Sequence, residues 1–526
     1  MGTGVASPAK KGGTLRIASA IDLDSIDPAI DYLGIGWMLE YATCAKLYNY
    51  PDKPAPAGAI VVPEVATGFP KVSADRRTAT IQLRRTFRFH TGRPITAANF
   101  VAAFNRDASP KLGSPAVAYL HEIAGTDAVI AGRARTISGV KALGRYTLQI
   151  RTTQPLGDLV SRLTMPFFCP IAANTPSREI DDPLGSGPYY VASHVPNREI
   201  VLERNRFYRG SRPANVDRVL WSIGPSGASC RQAVERDELD YCTLLSPSDY
   251  EQAARTFGIN RHNGQFYFDP SFLQFYFAFN HDRPAFKGRG QIPFMKAINW
   301  AIDRHALVQA AGYLGGKRTD HILPQTLAKE PRIYPHGGVS ERSLAKARAL
   351  LAKAKFKPKT LVFYVATACC AGGPETVWAG IFQFDLKRLG IDVQIKYFSL
   401  DELFDRTGTR GQPFDVAIQG WAPDYADGAS FFRPLFYGPG ITTSGNVNVA
   451  YFNRPKYNRA IDRIDGLTGV ARRKAWAALD LEMMRNDPPV APFMELAARN
   501  FVSKSFGCFV FQPVYGRPDL AAACKK

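Results

Sequence analysis

Short stretches in which apolar and polar residues alternate dominate the first third of the chain. Residues 14–20, 78–83 and 147–151 each alternate with a period of two, which predicts half-buried strands. One helical segment interrupts them, because Thr96 suits an N-cap and apolar residues follow it at helical spacing. We therefore predict that residues 61–170 form a region rich in β-structure.

A different rhythm, strand then helix then strand, begins near residue 216 and returns after residue 274. Such alternation predicts parallel sheets with crossover helices. Before it, a tight turn at residues 185–190 leads into a strand that we expect to pair as a hairpin with residues 200–204. Two α/β blocks indicate two lobes, although no sequence repeat relates them. The predicted strands here are 219–223, 239–245, 360–365, 391–397 and 415–419, and the predicted helices are 230–236, 293–311, 341–355 and 375–389.

The size of the chain requires more than one hydrophobic core. With 526 residues it exceeds what a single core usually serves, so two or three domains are expected. Hydrophobic residues make up 45% and charged residues 21%, which is ordinary globular usage and argues against disorder. The composition therefore favours a large mixed α/β protein.

The charge balance is strongly basic, with 66 Lys and Arg against 46 Asp and Glu and a net charge of +20. Such an excess is compatible with nucleic acid, an anionic membrane surface or an acidic ligand. Basic residues occur in pairs, as at Lys10-Lys11 and Arg76-Arg77, without the longer tract that would follow a phosphate backbone. We predict no nucleic-acid partner, and a basic solvated surface that favours approach to anionic lipid headgroups.

Eight cysteines occur without a C-x-x-C pair or zinc-type spacing, so no metal site is predicted. An even count permits disulfides in an exported protein, but spacing does not give their pairing, and the adjacent Cys369 and Cys370 fit packed thiols equally well. No run of 18 apolar residues exists. Residues 1–11 lack a signal-peptide core, which taken literally indicates the cytoplasm, yet this small-residue segment also suits the tether of a mature exported protein.

Familiar catalytic motifs are missing from the sequence. The eight histidines form no H-E-x-x-H pair, and Gly316-Lys317 lacks both the leading Gly and the following Ser or Thr of a phosphate-binding loop. Gly185-Ser-Gly187 lacks the spacing of a nucleophile elbow. We predict that the chain is not an enzyme and needs no cofactor. A hydrolase whose triad comes from distant positions stays open as a rival, because such triads leave no local motif.

Several short segments carry a resemblance to a known family. Residues 83–97 read Leu-Arg-Arg-Thr-Phe-Arg-Phe-His-Thr-Gly-Arg-Pro-Ile-Thr-Ala, and residues 420–427 read Gly-Trp-Ala-Pro-Asp-Tyr-Ala-Asp. Together with residues 185–189, 203–210 and 487–492, in this order, they resemble the family 5 solute-binding proteins that deliver oligopeptides, dipeptides or nickel complexes to ABC importers. One departure is Asn99, which stands where that family usually has Asp.

The resemblance implies an α/β, two-lobed periplasmic-binding-protein fold of type II with an inserted β-rich domain. Two crossovers between the lobes would form a hinge, so that the lobes close on a ligand in the cleft between them. The implied parts are a tether at 1–11, lobe one at 12–48, 184–274 and 491–526, an inserted domain at 49–183, and lobe two at 275–490.

The resemblance also implies a ligand site. Peptide-binding relatives hold the free α-ammonium on an Asp in the loop that here contains Asp424, and a carboxylate in a desolvated cleft needs such a cation. Trp421 and Tyr425 would form walls of side-chain pockets, although packing of Trp421 in the core is an alternative. Further candidate ligand contacts are Tyr32, Tyr276 and Asn280.

The function implied by the resemblance is the solute-binding subunit of an ABC importer. It would capture short peptides, act as a monomer with permease subunits in the membrane, and work in the periplasm or on the outer face of the cytoplasmic membrane, exported by a signal sequence or held by a lipid anchor. A nickel chelate or another non-peptide solute on the same scaffold stays open. So does a sensor or chaperone that uses the same closure.

Overall fold

The computed structural model describes residues 11–225, 227–243, 245–334, 340–367 and 374–526. The chain forms two compact units. The first extends to Asp269 and resumes with Arg499–Lys526, and the second is Pro270–Ala498. The chain therefore passes between the units twice, and the predicted separation of residues 49–183 as an inserted domain stays a prediction.

Helices and strands alternate along most of the described chain. The helices are α1 Gly34–Thr43, α2 Ala97–Asp107, α3 Thr126–Ile130, α4 Leu159–Arg162, α5 Gly227–Glu235, α6 Pro247–Phe257, α7 Ile292–Ala301, α8 Arg304–Ala310, α9 Glu341–Ala352, α10 Glu375–Lys387, α11 Leu400–Gly408, α12 Ala429–Phe436, α13 Pro455–Asp465 and α14 Gly469–Asn486. The strands are β1 Thr14–Ser19, β2 Tyr48–Asn49, β3 Val62–Pro63, β4 Lys71–Val72, β5 Thr78–Gln82, β6 Val140–Gly144, β7 Thr147–Arg151, β8 Tyr189–Val195, β9 Glu199–Arg204, β10 Arg218–Ile223, β11 Tyr241–Cys242, β12 Phe266–Phe279, β13 Gly316–Arg318, β14 Thr360–Ala366, β15 Asp392–Phe398, β16 Val416–Trp421, β17 Val490–Phe501, β18 Phe506–Gly507, β19 Phe511–Gln512, β20 Arg517–Pro518 and β21 Cys524–Lys525.

The main sheet of the first unit has the strand order β11-β1-β10-β9-β8. Strand β1 lies parallel to both β10 and β11, while β9 pairs antiparallel with β8 and β10. The predicted hairpin and the predicted strand–helix–strand succession are both confirmed. The strand expected at 239–245 is shorter than predicted, since only Tyr241–Cys242 pair with β1.

A second sheet of the first unit is antiparallel, with the order β4-β5-β7-β6. It confirms the strands predicted from alternation, and Ile81 and Leu148 lie opposite each other and are buried. Helix α2 begins after Thr96 as predicted. The Asn99 side-chain oxygen accepts hydrogen bonds from the Thr96 backbone N–H at 2.8 Å and from its hydroxyl at 2.9 Å. The side-chain amide of Asn99 also donates a hydrogen bond to the carbonyl of Ile171. The aspartate that the family usually has at this position could not make this bond, because an ionised carboxylate has no proton to donate.

The second unit is built on a mixed sheet with the order β13-β17-β12-β16-β14-β15. Both faces are covered by helices and loops. Phe275, Phe277 and Phe279 of β12 enter one apolar cluster, while Tyr276 and Ala278 enter another on the opposite face. This alternation is what a central strand requires when both faces are buried.

The single helix predicted at residues 293–311 is wrong, because the structure has two helices there. Ile302 is extended, which ends α7. The Asp303 carboxylate then accepts the backbone N–H groups of His305 and Ala306, each at 3.0 Å, and caps α8. A local N-cap thus interrupts an apolar pattern that runs on through the break.

Three disulfides lie within the first unit. They join Cys44 to Cys169, Cys230 to Cys242 and Cys508 to Cys524. Cys369 and Cys370 fall outside the described residues. Within the part of the chain that the structure describes, no helix combines the length and apolar character needed to cross a bilayer.

The second unit contains a buried histidine that makes stability depend on pH. Burial, with Arg454 nearby, lowers the pKa of His281 to about 3, and Arg454 lies 3.4 Å from its Nδ1 atom. Because this pKa is below the ordinary value of 6.5 in the unfolded chain, His281 favours folding above pH 6.5 and that contribution falls as the pH drops toward 3.

We expect His281→Gln to reduce the acid sensitivity of the unfolding free energy. One proton contributes at most about 1.4 kcal/mol per pH unit, so the difference in free energy between pH 6.5 and pH 5 should shrink by about 2 kcal/mol. Urea titrations at both pH values measure it. The exposed His305 provides the control, and an equal change in His305→Gln would contradict the assignment to His281.

Candidate functional site

The site predicted in residues 421–427 lies in the loop between β16 and α12. Strand β16 is parallel to β14, with Phe363 opposite Val416 and Tyr364 opposite Ala417. The carboxyl ends of both strands therefore meet at one edge of the sheet. In open α/β sheets this edge is where ligands bind, so the loop is positioned as a ligand loop.

Asp424 is the acidic residue at the centre of this loop, and it is only 6% exposed. Its backbone N–H donates to the Ser430 hydroxyl at 2.8 Å, and that hydroxyl donates to the Asp424 carboxylate at 3.3 Å. The carbonyl of Ser430 accepts the Trp421 indole N–H at 2.8 Å. One residue in the first turn of α12 thus holds both the acid and the indole in place.

The loop is tied to the rest of the unit through a second acid, Asp427. Its carboxylate accepts hydrogen bonds from the Arg472 guanidinium at 2.8 and 2.9 Å and from the Trp476 indole at 3.1 Å. Arg472 and Trp476 both belong to α14. At Gly428 a Cβ atom would come within 2.4 Å of the Trp476 ring, so only glycine allows the loop to pass this close. These contacts make the loop rigid rather than adaptable.

The two aromatic candidates of the loop differ in exposure. Tyr425 is 2% exposed and fills the interior, whereas Trp421 is half-buried and packs against the cluster that contains Tyr276. Trp421 therefore offers the larger surface to a ligand. Both roles predicted for these rings, as walls of side-chain pockets, stay predictions.

Tyr276 lies in the C-terminal half of β12, and Asn280 directly follows the last residue of that strand, Phe279. Tyr276 pairs with Gln419, close to the loop, and burial raises the pKa of its phenol, so the hydroxyl stays protonated. Asn280 lies beside the start of β16. Its amide donates to the Phe414 carbonyl at 3.0 Å and its oxygen accepts the Asp282 N–H at 3.1 Å. Six residues of extended strand, roughly 20 Å, separate that end from the loop.

Tyr32 belongs to the first unit. Its hydroxyl lies 3.0 Å from that of Tyr119, and its ring contacts Trp37 and Phe167 with centroid distances of 6.1 and 5.6 Å. The ring is 39% exposed. Tyr32 is therefore part of an aromatic group at the surface of that unit, and its part in ligand binding stays a prediction.

Sequence reasoning missed the residues that hold the loop. Ser430 carries no pattern that separates it from other helix-start serines, and Arg472 is 45 positions away from Asp427. The one available signal was Asp427-Gly428, a dipeptide typical of a turn before a helix. The described residues contain no cluster of three or more His, Cys, Asp or Glu side chains that could hold a metal ion.

Comparison with known protein families assigns the chain to one of them. The family described as bacterial extracellular solute-binding proteins, family 5 Middle, matches residues 61–443. The chain belongs to this family. The resemblance stated from the short segments is thereby confirmed, and the family consists of solute-binding proteins found outside the cytoplasm.

Individual relatives extend over most of the chain. The periplasmic murein peptide-binding protein MppA of Escherichia coli (strain K12) is 26% identical over 448 residues, covering 83% of this chain and 80% of MppA. The probable D,D-dipeptide-binding periplasmic protein DdpA of the same strain is 25% identical over 526 residues, covering 97% of this chain and 94% of DdpA.

Solved structures confirm the predicted fold class, the α/β fold of solute-binding proteins. Clavulanic acid biosynthesis oligopeptide binding protein 2 matches with a TM-score of 0.86 at 25% identity, over 98% of this chain and 96% of that protein. The unliganded open form of MppA matches with a TM-score of 0.75 at 22% identity, over 99% of both chains. At that lower identity the second match concerns the fold alone.

Proposed function

We propose that this protein is the solute-binding subunit of an ABC importer and that its solutes are short peptides. Membership of family 5 across residues 61–443 carries the proposal. The similarity to MppA, a murein peptide-binding protein, and to DdpA, a probable D,D-dipeptide-binding protein, favours peptides over other solutes. Permease subunits in the membrane would receive the loaded protein, which we expect to be a monomer.

Asp424 is the proposed anchor for the α-ammonium group of the peptide. Withdrawing a carboxylate from water is costly unless a cation or several donors compensate it. Asp424 is nearly buried, and its loop is fixed from α14 through Asp427 and from α12 through Ser430. A rigid acid at the carboxyl edge of a sheet loses little conformational entropy when an ammonium group binds. We propose that the chain captures its solute without a covalent step and is not an enzyme, as expected of a member of a solute-binding family.

The three disulfides support a location outside the cytoplasm. Disulfides persist in oxidising compartments and are rare where cellular thiols stay reduced. With Cys44–Cys169, Cys230–Cys242 and Cys508–Cys524 formed, the folded protein suits the periplasm or the outer face of the cytoplasmic membrane. We propose that the protein reaches this location by a signal sequence or is held there by a lipid anchor.

Freshly purified protein should carry its ligand, and native mass spectrometry followed by denaturing release will identify it. We expect a set of peptide masses on the wild-type protein and their loss from Asp424→Ala. Peptide masses retained at the same level by Asp424→Ala would contradict the role of Asp424. A single non-peptide or nickel-chelate mass would contradict the peptide assignment while leaving the family unchanged.

A further inference from the structure

A cavity of about 80 Å³ lies at the same edge of the second unit's sheet as the Asp424 loop. Most of its lining is apolar and comes from the two central strands β12 and β16 and from helix α11. The apolar side chains in its lining include Leu273, Phe275, Ile418, Leu400, Leu403 and Phe404.

The cavity lies where two apolar clusters of the second unit meet. Phe275 and Ile418 belong to the cluster on one face of the sheet, and Leu403 belongs to a smaller cluster beneath α11. Interiors are normally filled at such a junction, because a void forfeits dispersion contacts. Phe404, one residue beyond Leu403, points its ring toward solvent instead and is 51% exposed while it lines the cavity.

The chain connects this cavity directly to the proposed anchor. Gln419 and Gly420 also line it, and Gly420 precedes Asp424 by four residues. Four residues span at most about 14 Å, even when fully extended. An extended peptide rises about 3.3 Å per residue, so a peptide anchored at Asp424 that runs toward Gly420 would bring one of its first four side chains within reach of the cavity.

We propose that this cavity is a side-chain subsite that accepts one aliphatic side chain, of valine or leucine size, from among the first four residues of the bound peptide. The inference rests on the proposed function and adds the class of peptide that is preferred. Size supports it, because an engineered apolar cavity that binds benzene measures about 150 Å³, nearly twice this volume.

Among the described residues that line the cavity, the polar side chains are those of Glu375 and Gln419, and both are buried. A leucine side chain moved from water into such a site gains enough to raise affinity roughly tenfold to hundredfold. An indole ring is bulkier than a leucine side chain, and we expect it to fit this space less well. A lysine side chain would have to leave its charged end among apolar groups or reach Glu375. Comparing lysine with leucine at the same peptide position therefore tests whether the site prefers an aliphatic side chain.

Calorimetric titration with tetraalanine and its single-substitution variants tests the inference. Leucine, lysine and tryptophan are each placed at positions one to four. We expect one position at which leucine improves affinity at least tenfold over alanine while lysine and tryptophan do not. Phe404→Asp places a carboxylate at the mouth of the cavity, and the leucine-to-alanine affinity ratio at that position should fall toward one.

Two further variants complete the design. Phe384→Asp is the matched control, because Phe384 is 66% exposed on α10 of the same unit and does not line the cavity, so the ratio should not change. Ala366→Leu fills the cavity from the end of β14 and should lower the ratio independently of charge. A ratio that responds to Phe404→Asp and Ala366→Leu but not to Phe384→Asp supports the subsite.

Contrary results separate the two proposals. If the wild-type protein binds none of these peptides, the assignment of short peptides as its solutes is overturned and the subsite with it, while its family membership is unchanged. If it binds them all without a leucine preference, prefers lysine at every position, or keeps its leucine preference in Phe404→Asp, only the subsite is overturned.

Discussion

Asp424→Asn is expected to weaken the binding of tetraalanine by roughly thirtyfold to several thousandfold. The range corresponds to the loss of 2–5 kcal/mol that follows when one partner of a buried, hydrogen-bonded charge pair is removed. Asparagine has nearly the same shape and can still accept the Ser430 hydroxyl, so the loop itself should stay in place. Titration calorimetry measures the change in affinity directly.

A thermodynamic cycle separates the ammonium contact from indirect effects. N-acetyl tetraalanine lacks the cation, so acetylation should weaken binding to the wild-type protein but scarcely alter binding to Asp424→Asn. Asp401→Asn is the control, since Asp401 is exposed in the first turn of α11 in the same unit. If acetylation of the peptide weakens its binding to Asp424→Asn as much as its binding to the wild-type protein, Asp424 does not hold the α-ammonium group.

Removing the Cys44–Cys169 disulfide is expected to lower the unfolding free energy of the first unit by about 5 kcal/mol. The two cysteines are 125 residues apart, so the bond restricts a long segment of the unfolded chain, and the expected loss is the entropy of closing a loop of that length. Hydrogen exchange with mass spectrometry on the double variant Cys44→Ala, Cys169→Ala measures the loss. It reads the amides of each unit separately.

The Cys230–Cys242 pair provides the matched control in the same unit. It closes a loop of only 12 residues, for which the same relation gives about 3 kcal/mol. We expect the long-loop variant to lose more protection than the short-loop variant, and the second unit to keep its protection in both. Equal losses would contradict loop closure as the source of the stabilisation.

Two strands of the antiparallel sheet, β5 and β7, could be predicted because each carries its own pattern. In β5 and β7 every second residue is apolar, and this matches the pleat of a sheet with one buried face. The break between α7 and α8 was missed, since Asp303 competes locally against an apolar periodicity that continues past it. Local hydrogen bonding by the Asp303 side chain determined the structure at that point, and the spacing of apolar residues does not reveal such a bond.

The candidate site could be located from the sequence but not completed. The loop around Asp424 was recognised through a resemblance, whereas its support depends on Arg472, which reaches Asp427 only in the folded chain. The apolar cavity depends on which side of α11 faces the sheet. Leu403 and Phe404 are neighbours with similar side chains, and only the packing decides that one is buried while the other stays exposed.

The order of the cysteine pairs bears on how the protein is made. Each described disulfide joins a cysteine to the next cysteine along the chain, and no other cysteine lies between the two partners. The eight cysteines of the chain could form four disulfides in 105 ways, and the three described pairs are ones that sequential oxidation yields. When such a chain is oxidised from its N-terminus onward, the partner in each of these three pairs is the next cysteine along the sequence, so these pairs can form without later reshuffling by an isomerase.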